Sequence, residues 1–196
     1  MKQRKAVITR TTSETDVKVA FNLDGTGKGN AATGIPFLDH MLMLFAKHGL
    51  FDLDVACKGD LEIDAHHSVE DVGICLWLAL EKAVGDKKGI VRFAHSYFPM
   101  DETLVRVAVD LSGRPYFVYK VQVNQERIGS LDADLIEEFW KAFVTHARLN
   151  VHVELLYGRN AHHIFEAVFK AAARALSMAT RIDSRMQGVP STKGIL

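Results

Sequence analysis

Two short strings in this chain carry side chains suited to binding transition metals: His66-His67-Ser68-Val69-Glu70 and His162-His163-Ile164-Phe165-Glu166. On a helix, residues three and four apart share a face. Glu70 therefore comes near both His66 and His67, and Glu166 near both His162 and His163. Adjacent positions differ by about 100° around the axis, so neighbouring imidazoles should diverge toward two ions rather than converge on one. Two imidazoles and a carboxylate per copy form a mixed nitrogen and oxygen set suited to Mn, Fe, Co, Ni or Zn. Neither string contains a thiolate, which argues against a structural zinc site. A single copy would read as a solvated helix start, but two copies at matching places in a repeat read as metal sites.

The repeat is visible in the segments that must position these strings. Glu14–Gly25 and Glu102–Gly113 align 88 residues apart, alternate apolar and polar residues and end at glycine. Each reads as a half-buried strand entering a turn. An amphipathic helix follows in each half, carrying Phe37, Leu38, Met41, Leu42, Leu44 and Phe45 between Pro36 and Gly49, and then Leu131, Leu135, Ile136, Phe139, Trp140 and Phe143. Strands are expected at Phe51–Cys57 and Leu149–Tyr157. Second helices should open at Asp64 and Asn160, both good caps, and run to about Val84 and Met178. Residues 85–101 join the halves. The expected architecture is α+β, a tandem duplication with sheets and helices packed on one face; residues 1–90 form the first unit and residues 91–196 the second.

The alignment extends the candidate ligands. Matching Lys47-His48 to Thr145-His146 sets His40 opposite Glu138, both on the first helix of their unit. With the two doubled strings they make a quasi-symmetric set of eight. His152 falls opposite Asp54 and reads as a structural strand histidine, while His48, His95 and His146 have no motif support.

Composition narrows the partners. Lys plus Arg total 24, as do Asp plus Glu, so there is no electrostatic case for nucleic acid or an anionic membrane. Cys57 and Cys75 lie in apolar contexts without CxxC spacing and read as buried, reduced thiols. The polar start carries no signal-peptide pattern and no apolar run approaches a membrane span; a cytoplasmic protein is expected. Gly25–Gly29 is not a P-loop, because no Gly-Lys-Ser/Thr opens a helix there.

Five strings together resemble the imidazoleglycerol-phosphate dehydratase family: Gly34–Leu42, Asp64–Asp71, Leu111–Tyr116, Arg159–Glu166 and Pro190–Gly194. The resemblance implies two fused ribosomal-protein-S5-domain-2-like units. It implies a hydro-lyase of histidine biosynthesis that converts D-erythro-1-(imidazol-4-yl)glycerol 3-phosphate to 3-(imidazol-4-yl)-2-oxopropyl phosphate. It further implies two Mn²⁺ ions per site on His40, His66, His67, Glu70, Glu138, His162, His163 and Glu166, and a homo-oligomer of 24 chains with sites at chain interfaces. Glu14 matches the family's proton-transfer acid, and Arg92, Arg114, Ser191 and Lys193 match its phosphate-binding positions, with the tail acting as a lid. Asp101 and Glu102 lie in a matching segment. Glu138 stands where many relatives carry His, and Leu44 where some carry Gln. The reaction removes a proton that is not next to a carbonyl, so the substrate's imidazole must supply the electrons, and metals acting as Lewis acids and template suit that need. The same ligands could instead activate water in a phosphate hydrolase, or serve a non-catalytic metal-storage shell.

Overall fold

Alternation places Val17, Val19 and Phe21 on one face of a strand and buries all three, while Asp16 and Lys18 stay exposed. This strand, β2 (Thr15–Asn22), is flanked by β1 (Lys5–Thr11) and β4 (Asp52–Gly59), both antiparallel to it; β3 (Gly29–Ala32) adds to β4 in parallel. The computed structural model describes residues 3–196. Its second large sheet repeats the arrangement with β5 (Phe93–Met100), β6 (Thr103–Asp110), β10 (Asn150–Tyr157) and β7 (Tyr116–Lys120), in the order β5-β6-β10-β7. Here too the last pair is parallel and the others are antiparallel. A small hairpin of β8 (Arg127–Ile128) and β9 (Leu131–Asp132) is inserted between β7 and the following helix. It accounts for the change of repeat spacing from 88 residues at Glu14 and Glu102 to 98 at His40 and Glu138.

The helices are α1 (Pro36–Gly49), α2 (His66–Val84), α3 (Leu135–Ala147) and α4 (Ala161–Ala179). Helix α2 lies on the first sheet and α4 on the second. The other two cross between halves: α1 packs on α4, and α3 packs on α2. Gly73 permits the second crossing, because a Cβ there would meet the carbonyl oxygen of Phe139 at 2.7 Å. The core is therefore shared. Trp140 contacts Phe45 of the first half and Phe169 of α4, with ring centroids 6.4 and 4.9 Å away, and Trp77 meets Phe143 edge-on at 5.4 Å. Burying each such ring stabilises the fold by roughly 1.5–3 kcal/mol, so neither half retains its full core alone.

Three segments differ from the expectation. Helix α2 begins at His66 with Ala65, not Asp64, at its cap position, and Asp64 Oδ1 accepts the His66 N–H at 2.7 Å from one residue further out. Residues 85–101 do more than join the halves, since they contain β5. Its residues alternate between exposed and half-buried with none fully buried, so an edge strand there leaves no clean apolar period. Leu131 belongs to β9, and α3 begins only at Leu135. Leu131 is buried from extended backbone, and a four-residue spacing to Leu135 does not distinguish that from a helical turn. No helix among the described residues is long and apolar enough to cross a membrane.

Candidate active site

Helix α4 opens on Asn160, whose side-chain oxygen accepts the backbone N–H groups of His162 (3.0 Å) and His163 (3.4 Å). That cap satisfies two otherwise orphaned donors and sets the first turn. Ala161, Ile164 and Phe165 face the core, leaving His162 exposed. Nε2 of His162 is 3.2 Å from Oε2 of Glu166, one turn on. Helix α1 delivers the third group. Pro36 starts it, Leu38, Met41, Leu42 and Phe45 anchor it, and His40 on its open face puts Nε2 3.4 Å from the same Oε2. One donor atom from each of His40, His162 and Glu166 lies within 4.8 Å of the others.

Glu166 is buried, unlike the two imidazoles. Burial pushes its carboxyl up, but Lys170, His40 and His162 outweigh that and hold it below the usual range. Lys170, also buried, donates to Oε1, which leaves Oε2 as the oxygen turned toward the histidines. Two imidazole nitrogens and one carboxylate oxygen, with no thiol among them, fit a divalent ion that accepts nitrogen and oxygen donors.

The doubled imidazoles diverge as the helical rotation requires. His162 and His163 lie 6.3 Å apart at 87°, and His66 and His67 lie 6.2 Å apart at 83°. His67 puts Nδ1 3.0 Å from Asp60 and Nε2 3.8 Å from Glu14. The hydrogen bond to Asp60 raises the His67 pKa. His163 puts Nδ1 2.8 Å from Glu102 and Nε2 3.8 Å from Asp101. Glu102 is held well below the carboxylate range by His163 and by the backbone N–H of Asn160. Glu138 accepts from Lys141 at 3.2 Å on α3. Of the eight sequence-derived ligands, three converge among the described residues of one chain; His66, His67, Glu70, Glu138 and His163 lie outside that set.

Glu14 sits at the tip of the β1–β2 hairpin with half its side chain exposed. Thr12 Oγ1 braces the turn by accepting the backbone N–H of Glu14 (3.1 Å) and Thr15 (3.0 Å). Below the tip, buried Asp71 accepts from both Arg10 and Thr15, tying the hairpin to α2 one residue past Glu70. Sequence reasoning missed Asp60, Asp71 and Lys170. Only Lys170 carried a signal, its position four residues after Glu166 on one helix face.

The candidate phosphate residues gather elsewhere. Arg92 donates its backbone N–H to the carbonyl of Ala179 at 2.8 Å. Its guanidinium grips Asp110 at 2.8 Å and the carbonyl of Pro190 at 2.7 Å. The tail then passes Gly113, where a Cβ would meet the Leu196 backbone at 2.5 Å. Arg114 beside it is exposed, as is Lys193, while Ser191 Oγ accepts the Lys193 backbone N–H at 3.2 Å. This group lies at the C-terminal end of α4, and His162 and Glu166 lie at its N-terminal end. At 1.5 Å per residue the separation is about 25 Å.

A family model described as imidazoleglycerol-phosphate dehydratase matches residues 33–176. The imidazoleglycerol-phosphate dehydratase of Acetivibrio thermocellus is 57% identical over 193 residues, covering 98% of this chain and 99% of its own. That of Thermoanaerobacter pseudethanolicus is 58% identical, with 98% and 100% covered. Among solved structures, the Staphylococcus aureus dehydratase superposes with a TM-score of 0.83 at 40% identity, covering 91% of this chain and 99% of its own. The Pyrococcus furiosus protein gives 0.84 at 38%, covering 96% and 100%.

Proposed function

The chain belongs to the imidazoleglycerol-phosphate dehydratase family, and from that premise we propose how its residues divide the work. The reaction is the hydro-lyase step of histidine biosynthesis that turns D-erythro-1-(imidazol-4-yl)glycerol 3-phosphate into 3-(imidazol-4-yl)-2-oxopropyl phosphate. The carbon bearing the imidazole loses its hydroxyl, the middle carbon loses its hydrogen, one water leaves, and the resulting enol becomes the ketone. Two Mn²⁺ ions held by His40, His66, His67, Glu70, Glu138, His162, His163 and Glu166 would supply Lewis-acid activation and a template for the substrate.

Glu14 takes the proton of the middle carbon. Its carboxylate is exposed at a braced hairpin tip beside His67, where a base must lie to come within hydrogen-bond reach of its substrate. Arg92, Arg114, Ser191 and Lys193 hold the phosphate, the arginines by paired N–H donors and Lys193 as a point charge. With Arg92 already bonded to Pro190, the tail is anchored at the place where it would fold over that group.

The observation that carries this reading is the separation along α4. One end bears the imidazole-binding donors and the other the anion-binding donors, about 25 Å apart, several times the reach of so small a substrate. That separation supports active sites shared between chains; we propose the homo-oligomer of 24 subunits that the family resemblance implies, with sites at chain interfaces, and a cytoplasmic location. Stripping the protein with a chelator and assaying it with each divalent metal tests the proposal. Ketone should form without free inorganic phosphate, only after metal is restored and best with Mn²⁺, on a particle the size of 24 chains. Full activity in the stripped protein, or phosphate as the product, would contradict it.

A further inference from the structure

Resting on that metal reading, we infer that Asp60 and Glu102 are positioning residues, one per half of the molecule, that hold His67 and His163 by Nδ1 and leave Nε2 of each as the nitrogen that would take a metal ion. An ionised carboxylate only accepts hydrogen bonds, so the ring nitrogen facing it carries the proton. Nδ1 of His163 stands 2.8 Å from Glu102 Oε2, and Nδ1 of His67 stands 3.0 Å from Asp60 Oδ2. A ring that donates from Nδ1 in this way has Nε2 as the nitrogen left for another partner. That nitrogen faces an exposed acid in both cases: it lies 3.8 Å from Asp101 in one half and 3.8 Å from Glu14 in the other, and these acids are 76% and 50% exposed.

The two anchors are themselves fixed. Glu102 Oε1 accepts the backbone N–H groups of Asn160 (2.9 Å) and Arg159 (3.2 Å), so the residue that orients His163 also braces the cap of its helix. Asp60 is only 15% exposed.

The anchors do not come from equivalent places in the repeat. Between β4 and α2 the loop runs from residue 60 to residue 65 and brings its own acid, Asp60. Between β10 and α4 only residues 158–160 intervene, and the acid arrives from the β5–β6 turn instead. Glu102 is the repeat partner of Glu14, and Glu14 is left off Nδ1. Duplication alone would have copied one anchor into both halves. The same hydrogen bond made from two different loops points to a requirement at the imidazole. In metal sites, outer carboxylates of this kind set the tautomer and raise the basicity of the ligating ring.

The test is a titration of metal-stripped full-length protein with Mn²⁺, read from the electron paramagnetic resonance of the free ion, alongside the melting temperature without metal. Asp60→Asn and Glu102→Gln keep an acceptor oxygen but remove the charge. Each should weaken Mn²⁺ binding by about 10- to 100-fold while the metal-free melting temperature stays near wild type, and Asp60→Glu should recover part of the loss. If wild type itself takes up no Mn²⁺, the metal reading fails. If wild type binds and both variants bind within about twofold of it, or lose affinity only in step with melting temperature, the anchors are structural ion pairs and the inference is overturned.

Discussion

Glu14 Oε1 stands 3.8 Å from Nε2 of His67, at a hairpin tip where, among the described residues, no side chain hydrogen-bonds to its carboxylate. Its repeat partner Glu102 is tied to His163 and to two backbone amides. One position of the duplicated unit is locked, and the other is the carboxylate proposed to take the substrate's proton. Glu14→Gln should lower kcat by about 10²- to 10⁴-fold, the usual contribution of a general base, while the particle still assembles and binds Mn²⁺. Steady-state kinetics beside metal analysis checks this; full turnover in the variant would remove Glu14 from the mechanism.

Asp71 makes that hairpin a fixed mount. Its carboxylate is buried and accepts from Arg10 and Thr15, on either side of the tip. Asp71→Ala removes hydrogen bonds that involve charged groups, at a cost of about 1.5–3 kcal/mol each before relaxation. We expect a lower denaturation midpoint and, because the tip loses its tether, a fall in kcat larger than any rise in KM. Unchanged kinetics in a destabilised variant would confine Asp71 to the fold.

Asp52 ties the β2–β3 loop to β4 by accepting from Thr26 N–H (2.8 Å), Asn22 (2.9 Å) and Lys28 N–H (3.3 Å). The Thr26 bond leads the set that lowers its pKa from 3.8 to about 2. A depressed carboxylate pKa contributes stability above the unfolded value and loses it as pH falls through the folded one. Asp52→Asn should therefore destabilise the protein near neutral pH, by under about 1 kcal/mol once solvent screening is allowed for. The gap should narrow between pH 3.8 and 2. Denaturant melts at a series of pH values read it directly; a gap that widens toward acid would reverse the assignment.

The thiols should be silent. Cys75 is fully buried and Cys57 nearly so, and burial raises both, Cys75 to about 11. Only the thiolate reacts, so a disulfide reagent at pH 8 should label neither in the native protein and both after denaturation. Rapid native labelling would show that the core opens.

Much of this is legible in the sequence. The doubled strings rest on a period that every helix obeys, and the perpendicular pairs at His66/His67 and His162/His163 follow from it. The alignment that paired His40 with Glu138 was equally local. It did not reveal that α1 crosses to the other half, so His40 meets Glu166 and not Glu70. Pairing between elements far apart in sequence leaves no periodic trace. The same holds for Asp71 and Glu102, single acids whose partners lie 56 and 61 residues away, while Asp60 pairs with His67 from an irregular loop that no helix or strand period describes. The edge strand β5 escaped for a different reason, since its half-buried faces blur the alternation that marked β2 and β6.

The central claim is that no single chain holds both ends of the substrate. Co-expressing two inactive variants in one cell tests it most directly: His162→Ala, which breaks the three-donor face, and the double variant Arg114→Ala with Lys193→Ala, which strips the anion-binding end. If sites form between chains, mixed particles regain activity at about a quarter of their sites when the variants assort at random. Mixed particles no more active than the two parents would mean that each chain builds its site alone.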